Sequence, residues 1–198
     1  GPTQPPLPPL DKTNSISHGK NAPNAIQVRS HLHRIAWVDL LAVDGISASL
    51  AQNILAEIGT DMSKFPNEKH FCSWLSLAPH NDISGGKVLS SHTLHSHNLA
   101  GLAFRRAAVA VTRADCAAGA FYRRIKSRIG PAQAIVATAH MIARIVYRML
   151  KYKVEYEAIK AEEYEQRFRE REIKYLERKA ARLGFSLAPS TAVPQSVS

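Results

Sequence analysis

PAQAIVATAHMIARIVYRMLK, residues 131–151, is the stretch that decides the fold. It predicts one long helix, because Pro131 suits the first helical position, where its missing N–H costs no hydrogen bond. Apolar periodicity predicts two more helices just before it, at about 96–117 and 119–128. The fold class is therefore mainly α: a helical domain with a helix-hairpin-helix element, a short glycine-rich loop or hairpin, and a long charged C-terminal helix.

Three further helices are predicted towards the N-terminus. The first covers 25–41, and Gly45 interrupts the pattern after it. The second begins after Ser47, a suitable N-cap, and ends at Gly59. The third spans about 68–77 and is stopped by Pro79. The apolar face of the first helix is predicted to contain Ile26, Leu32, Ile35, Val38 and Leu41, and that of the second to contain Leu50, Ile54, Leu55 and Ile58.

Composition divides the chain into four parts. Residues 1–24 are rich in proline and serine and are expected to be a linker, 25–150 form the helical domain, and 186–198 are expected to be a disordered tail. About half of the residues of the part between, 151–185, carry charges of both signs around a thin apolar stripe. They indicate a solvated helix laid along the domain or against a partner helix, or else an intermolecular coiled coil.

Charge and cysteine usage narrow the class of function. Lysine and arginine number 26 against 16 acidic residues, for a net charge of +10, which favours an anionic partner: nucleic acid first, a membrane surface second. Cys72 and Cys116 are far apart, which argues against a disulfide scaffold or a zinc finger and fits a reducing cytoplasm. No apolar stretch approaches the roughly 20 residues that cross a bilayer.

The segment LLAVDGISASLA, residues 40–51, has the pattern of a helix-hairpin-helix. A glycine turn at Gly45 would let backbone N–H groups at a helix start face a phosphate, and Ala51 would allow close helix packing. Ser47 stands where the motif usually has its second glycine. The alternative interpretation is a plain helical hairpin inside the core.

A second motif is ISGGKVLSS, residues 83–91. Ser84 precedes Gly85 and Gly86, so its hydroxyl could be accessible beside bare N–H groups, while Lys87 adds a cation for a phosphate. These groups suit attack on a phosphodiester or simple phosphate binding. The motif is not a P-loop, and the alternative is a turn with only a structural role.

Basic residues follow this motif, and they indicate phosphate binding or a solvated face. The histidines at 92, 95 and 97 match no zinc spacing, and Glu57 with Asp61 form no convincing carboxylate site, so no metal is predicted in this chain. The basic residues are Arg105, Arg106, Arg113, Arg123, Arg124, Lys126 and Arg128.

Taken in order, several blocks carry a resemblance. They are DGIS, then LAEIGTDMSKFPNEKHFCSWLSLAPHNDISGGKVLSSHT, then AFYRRIKSRIGPAQAIVATAHMIARIVYRML, then YEQRFREREIKYLERKAARLGF. Together they resemble the carboxy-terminal transposase domain of the insertion-sequence one-hundred-ten family, which includes pilin-gene invertases. The likeness covers about residues 38–185.

The resemblance implies a DNA recombinase that chooses its DNA through a structured bridge RNA. The serine of the loop attacks DNA and forms a covalent phosphoserine intermediate, and here that serine is Ser84. Gly85, Gly86 and Lys87 match the same motif, and Asn98 also fits, but SHTLHSH at 91–97 replaces much of the family's basic stretch.

The resemblance also implies an amino-terminal RuvC-like domain whose acidic residues bind Mg²⁺. This chain holds no cofactor of its own, and we expect it to be inactive alone. Its partners would be DNA, a guide RNA and further copies of itself, with no membrane, in the bacterial cytoplasm at the nucleoid. The alternative function is a non-catalytic helix-hairpin-helix nucleic-acid-binding module. Beside catalytic Ser84, the candidate nucleic-acid-binding residues are Gly45, Ser47, Gly85, Gly86, Lys87, Asn98, Arg105, Arg106, Arg123 and Arg124.

Overall fold

The computed structural model describes residues 6, 7, 9, 25–84, 87–93 and 98–189. Most of the predicted linker and the predicted tail from 190 onwards therefore lie outside the described residues. Within the described ranges the chain is mainly helical, which confirms the predicted fold class. The elements are α1 (Ala25–Ala36), a 3-10 turn (Leu40–Ala42), α2 (Ala48–Ile58), α3 (Glu68–Trp74), β1 (Pro79–Ser84), β2 (Lys87–Thr93), α4 (Leu99–Ala110), α5 (Ala117–Ile129), α6 (Pro131–Tyr152) and α7 (Ala161–Arg182).

Helix α6 is the centre of the core. It packs against α3, α4 and α5, while α2 lies on the far side of α4 and α1 packs on α2. The buried face of α6 repeats at helical spacing and mixes small with large side chains, so neighbouring helices approach closely. Its members without solvent exposure include Ala139, Ile142, Ala143, Val146 and Leu150.

Several predicted helix ends are confirmed. The Ser47 hydroxyl accepts a hydrogen bond from the Leu50 N–H and caps α2, and Gly59 ends the same helix at a φ of 65°. Pro131 begins α6. Local capping chemistry decides these ends, because it needs no partner distant in sequence.

The prediction for the first helix was wrong in its end and in two of the five residues of its buried face, while Leu32, Val38 and Leu41 are buried as predicted. Helix α1 stops at Ala36, since Trp37 turns left-handed at a φ of 65°. Ile26 and Ile35 are 64% and 58% exposed, whereas Arg29 and His33 are buried. The Arg29 Nε–H donates to Asp39 Oδ2 at 2.8 Å, and this ion pair lets Arg29 lie on the buried face of the helix beside Leu32 and Ala36.

Asp39 also explains where the chain bends after α1. Its second carboxylate oxygen accepts a hydrogen bond from the Leu41 N–H at 3.1 Å and caps the 3-10 turn. Only 2% of the Asp39 side chain is exposed, and a buried carboxylate requires such partners. The predicted continuous helix to residue 41 is therefore replaced by a helix, a bend and a short turn.

Helix lengths also differ around α3, α4 and α5. Helix α3 ends at Trp74 rather than near 77, with Ser76 at a φ of 54°. Helix α4 ends at Ala110, so Arg113 lies beyond it. Helix α5 begins at Ala117 because the Cys116 sulfur accepts a hydrogen bond from the Gly119 N–H.

The charged C-terminal segment is two pieces, not one helix over 151–185. Helix α6 runs on to Tyr152, Lys153 is left-handed at a φ of 54°, and α7 begins only at Ala161. The connection folds back over the N-terminal part of the domain. Lys153 Nζ donates to the Ala36 carbonyl, and Glu155 accepts from the Asp39 N–H, both at 3.1 Å. These long-range contacts are what stop the helix.

Candidate nucleic-acid interface

The serine motif lies on two antiparallel strands. Ser84 ends β1 and is the backbone partner of Lys87, which begins β2. The register shifts between Asp82 and Ile83, which marks a β-bulge or a similar irregularity in the backbone pairing. Gly85 and Gly86 lie outside the described residues. The backbone register therefore brings the candidate nucleophile and the candidate phosphate-binding lysine to the same end of the strand pair.

Asn98 lies at the start of α4, the helix that follows this motif in the chain. Its side-chain oxygen accepts hydrogen bonds from the Ala100 N–H at 2.8 Å and the Gly101 N–H at 3.1 Å, and so caps α4. These two hydrogen bonds satisfy backbone donors that would otherwise lack helical partners. Its contribution to nucleic-acid binding stays a prediction, while its structural role is direct.

Helix α4 presents a mixed apolar and cationic outer face. Leu99 and Val109 are 60% and 56% exposed, and Arg106 is exposed on the same side. Leu102, Arg105, Arg106 and Val109 line a shallow depression there. This apolar surface was not predicted from the sequence, although the helical spacing of Leu99, Leu102 and Val109 indicates it.

The two terminal nitrogens of Arg105 have different surroundings. Its Nη2 donates to the Ser76 carbonyl at 2.8 Å, which ties α4 to the end of α3. Its Nη1 is shielded from solvent without a hydrogen-bond partner among the described residues. Burial lowers the pKa of this guanidinium. Among the described residues, this nitrogen therefore lacks the partner that a buried donor requires.

The side chain of Arg124 packs between α5 and α7. Its guanidinium lies 3.5 Å from the centroid of the Phe168 ring and 5.2 Å from that of Tyr164, and Nη2 donates to the Tyr164 hydroxyl at 2.9 Å. Glu165 lies 3.5 Å from Nη1. These contacts hold α7 on α5, so the structure gives Arg124 a role other than the predicted one.

Arg123 is exposed and lies over the end of the preceding loop. Its Nη1 donates to the carbonyls of Thr112 at 3.4 Å and Ala114 at 3.2 Å. These are long bonds at the surface, and they occupy one nitrogen of the five-donor guanidinium. Arg123 and Arg124, adjacent in sequence, therefore face different surroundings.

Gly45 and Ser47, in the predicted helix-hairpin-helix, also have structural roles. Gly45 has a φ of 84°, and a Cβ there would lie 2.5 Å from the Ala107 carbonyl oxygen and 2.7 Å from Val111 Cγ1. Ser47 uses its hydroxyl to cap α2. The turn thus packs tightly on α4, which requires glycine at 45. Binding of a phosphate by this turn stays a prediction.

Beside the turn lies a half-buried acid that was not predicted from the sequence. The Tyr156 hydroxyl donates to Asp44 Oδ2 at 2.7 Å. Burial raises the pKa of Asp44, and it also raises that of Tyr156, with the Asp44 charge adding to the second effect. The two residues are 112 positions apart, so no local pattern could have indicated the pair.

The described residues contain neither a cluster of three metal ligands nor a helix suited to crossing a bilayer. Within those ranges no three His, Cys, Asp or Glu side chains are grouped to hold a metal ion. Among the same residues, no helix has the length and apolarity that crossing a bilayer requires. His70 is exposed on α3, and the histidines at 95 and 97 lie outside the described residues.

Comparison with known families bears on residues 39–123, which match the model for the transposase IS116/IS110/IS902 family. Residues 39–123 form a transposase domain of this family. The matched segment begins at buried Asp39, includes both strands and all of α4, and ends within α5. No curated protein matches the chain. The family resemblance drawn from the sequence is thereby confirmed, and with it a role in transposition.

Proposed function

We propose that this transposase domain performs DNA strand cleavage and exchange with Ser84 as its nucleophile. The observation that carries the proposal is the register of the hairpin: Ser84 and Lys87 are paired at one end of the strands, inside the segment matched by the transposase family. A hydroxyl nucleophile beside a cation suits a reaction at an anionic phosphodiester.

The proposed step is a transesterification. The Ser84 oxygen forms a bond to the phosphorus of the DNA backbone as one bond from that phosphorus to a sugar oxygen breaks. The serine proton passes to a base, and the departing sugar oxygen takes up a proton. Attack on the phosphoserine by a sugar hydroxyl of the second DNA strand reverses these bond changes and releases Ser84. No net oxidation occurs, and the number of phosphodiester bonds is conserved.

Phosphate positioning is assigned to Lys87 on the strand pair and to two arginines of α4. Lys87 is the backbone partner of Ser84, and the unpartnered arm of Arg105 and the exposed side chain of Arg106 share the depression on α4. Charge-assisted bonds from these groups would hold the scissile phosphate and stabilise the charge that develops on it.

The remaining partners follow from the family resemblance. By that resemblance, Mg²⁺ would bind the acidic residues of a RuvC-like domain. DNA, a guide RNA and further copies of the chain would complete the assembly. We expect these 198 residues to bind DNA, and we expect recombination to require the RuvC-like domain.

A strand-transfer assay with the transposase that includes the RuvC-like domain tests the proposal. Ser84→Ala should lower transfer at least about 10³-fold while leaving DNA affinity unchanged, because only the attacking oxygen is lost. Ser90→Ala is the matched control, since Ser90 lies on the neighbouring strand opposite Asp82 and should transfer normally. Full transfer by Ser84→Ala would overturn the assignment.

A further inference from the structure

Most of the basic residues of α7 lie on one side of the helix. Five of them follow one another at intervals of four, three, four and four residues. At about 100° per residue, this spacing confines them to a sector of roughly 80° along the helix. All five are exposed. We call this set the cationic ridge: Arg167, Arg171, Lys174, Arg178 and Arg182.

The acidic residues of α7 lie on other sides. By the same helical count, those outside the ridge sector are Glu162, Glu165, Glu170, Glu172 and Glu177. Glu163 borders the ridge and pairs with Arg167 four residues on. Such an exposed pair contributes little energy, so it competes weakly with another anion. The ridge therefore keeps a strong local positive charge although α7 as a whole is nearly neutral.

Two of the ridge arginines bond back along the helix. The Arg171 Nε–H donates to the Arg167 carbonyl, and the Arg178 Nε–H donates to the Lys174 carbonyl, both at 3.2 Å. Each bond uses one of the five N–H donors of a guanidinium. It orders the side chain along the ridge and leaves the fork of the guanidinium suited to a phosphate.

The length of the ridge fits a nucleic-acid backbone. Arg167 and Arg182 are separated by about 22 Å along a helix axis. A duplex places a phosphate about every 3.4 Å of axis on each strand, so the ridge would run beside about six steps of one strand. Helix α7 is attached to α5 through Tyr164, at one edge of the ridge sector, and Phe168, just outside it.

We infer that the cationic ridge of α7 is a second nucleic-acid contact, which binds the phosphate backbone of duplex DNA away from the serine hairpin. The inference rests on the proposed function for the choice of DNA. Because phosphate contacts position a duplex without reading its bases, the ridge would bind without sequence preference.

Salt-dependent binding of a short DNA duplex to the full 198-residue chain tests this inference. The variant R171Q/R178Q removes two ridge charges, and R169Q/K179Q removes two charges of the same helix that lie outside the ridge sector. The ridge variant should weaken binding about tenfold at 0.15 M salt and lower the log–log salt slope by about two. The control should change both by much less.

Three outcomes would overturn the inference: equal losses in both variants, no loss in either, or a ridge loss seen with a structured RNA but not with the DNA duplex. The first would mean that only overall charge matters, and the third that RNA is the partner. Ser84→Ala separates this test from the proposed function. It should abolish strand transfer in the complete transposase and leave duplex binding and the ridge effect intact.

Discussion

At the scale of single residues, space and backbone conformation explain Gly45 better than its motif does. Its φ of 84° is unfavourable for any side chain, and the Ala107 carbonyl stands 2.5 Å from where a Cβ would be. Phosphate binding was predicted for this turn, but its observed role is to pack tightly against α4.

Gly45→Ala should lower the free energy of unfolding by roughly 2–5 kcal/mol, because backbone strain adds to a clash with α4. Urea denaturation followed by circular dichroism measures this loss. Gly184→Ala is the matched control, since Gly184 has a similar φ of 81° with nothing within 4 Å, and it should cost about 1 kcal/mol. Equal losses for the two variants would contradict the packing account.

The half-buried carboxyl group of Asp44 should make the free energy of unfolding depend on pH. Because burial raises its pKa in the folded state, ionisation is harder there than in the unfolded chain. Its contribution is therefore fully present below the ordinary Asp pKa and is lost as the pH rises through the raised value. The free energy of unfolding of Asp44→Asn, relative to the unaltered chain, should rise across that window and then level off.

Asp61 supplies a control of opposite sign. Its pKa is lowered, chiefly by hydrogen bonds from Ser63, so its contribution to stability is present above the ordinary Asp pKa and is lost as the pH falls. Asp61→Asn, relative to the unaltered chain, should therefore become less stable as the pH rises. Urea titrations between pH 3 and 7 compare the variants, and a flat difference for Asp44→Asn would rule out the raised pKa.

At the scale of elements, capping and periodicity were predictable and long-range pairing was not. Ser47, Gly59 and Pro131 mark helix ends through bonds within one or two turns, so the sequence indicates them directly. The inward face of α1 depends on Asp39, ten residues on, and the break after Tyr152 depends on Ala36 and Asp39 in the N-terminal part of the chain. Local periodicity contains no information about such partners.

The same limit applies to the candidate site. The sequence pointed to Ser84 and Lys87 through their motif, and to Arg105, Arg106, Arg123 and Arg124 through charge. Charge alone could not separate Arg124, enclosed by aromatic rings, from the exposed Arg106. That separation required the position of α7, which begins 37 residues after Arg124.

Arg124→Ala should release α7 from α5. The loss of the ring contacts and of the Tyr164 bond removes roughly 1–3 kcal/mol from this junction. Amide hydrogen exchange should then accelerate in α7 while α6 stays protected. Arg123→Ala is the control, because its bonds go to loop carbonyls and not to α7. Unchanged protection of α7 in Arg124→Ala would show that other contacts hold the helix.

At the scale of the whole molecule, α6 organises a helical core, and charged surfaces surround it. The serine hairpin leads into α4, whose outer face carries Arg106 and the depression that Arg105 lines. The cationic ridge on α7 is a separate surface, attached through α5. Under the proposed function, one of these regions would bind the reacting phosphate and the other would bind the flanking duplex.

The most direct test of the central claim is to map the covalent DNA adduct. The transposase that includes the RuvC-like domain is incubated with its DNA and digested, and the nucleotide-bearing peptide is identified by mass spectrometry. The account predicts a nucleotide on the oxygen of Ser84 and no adduct from Ser84→Ala. An adduct on any other residue, or one that persists in Ser84→Ala, would contradict it.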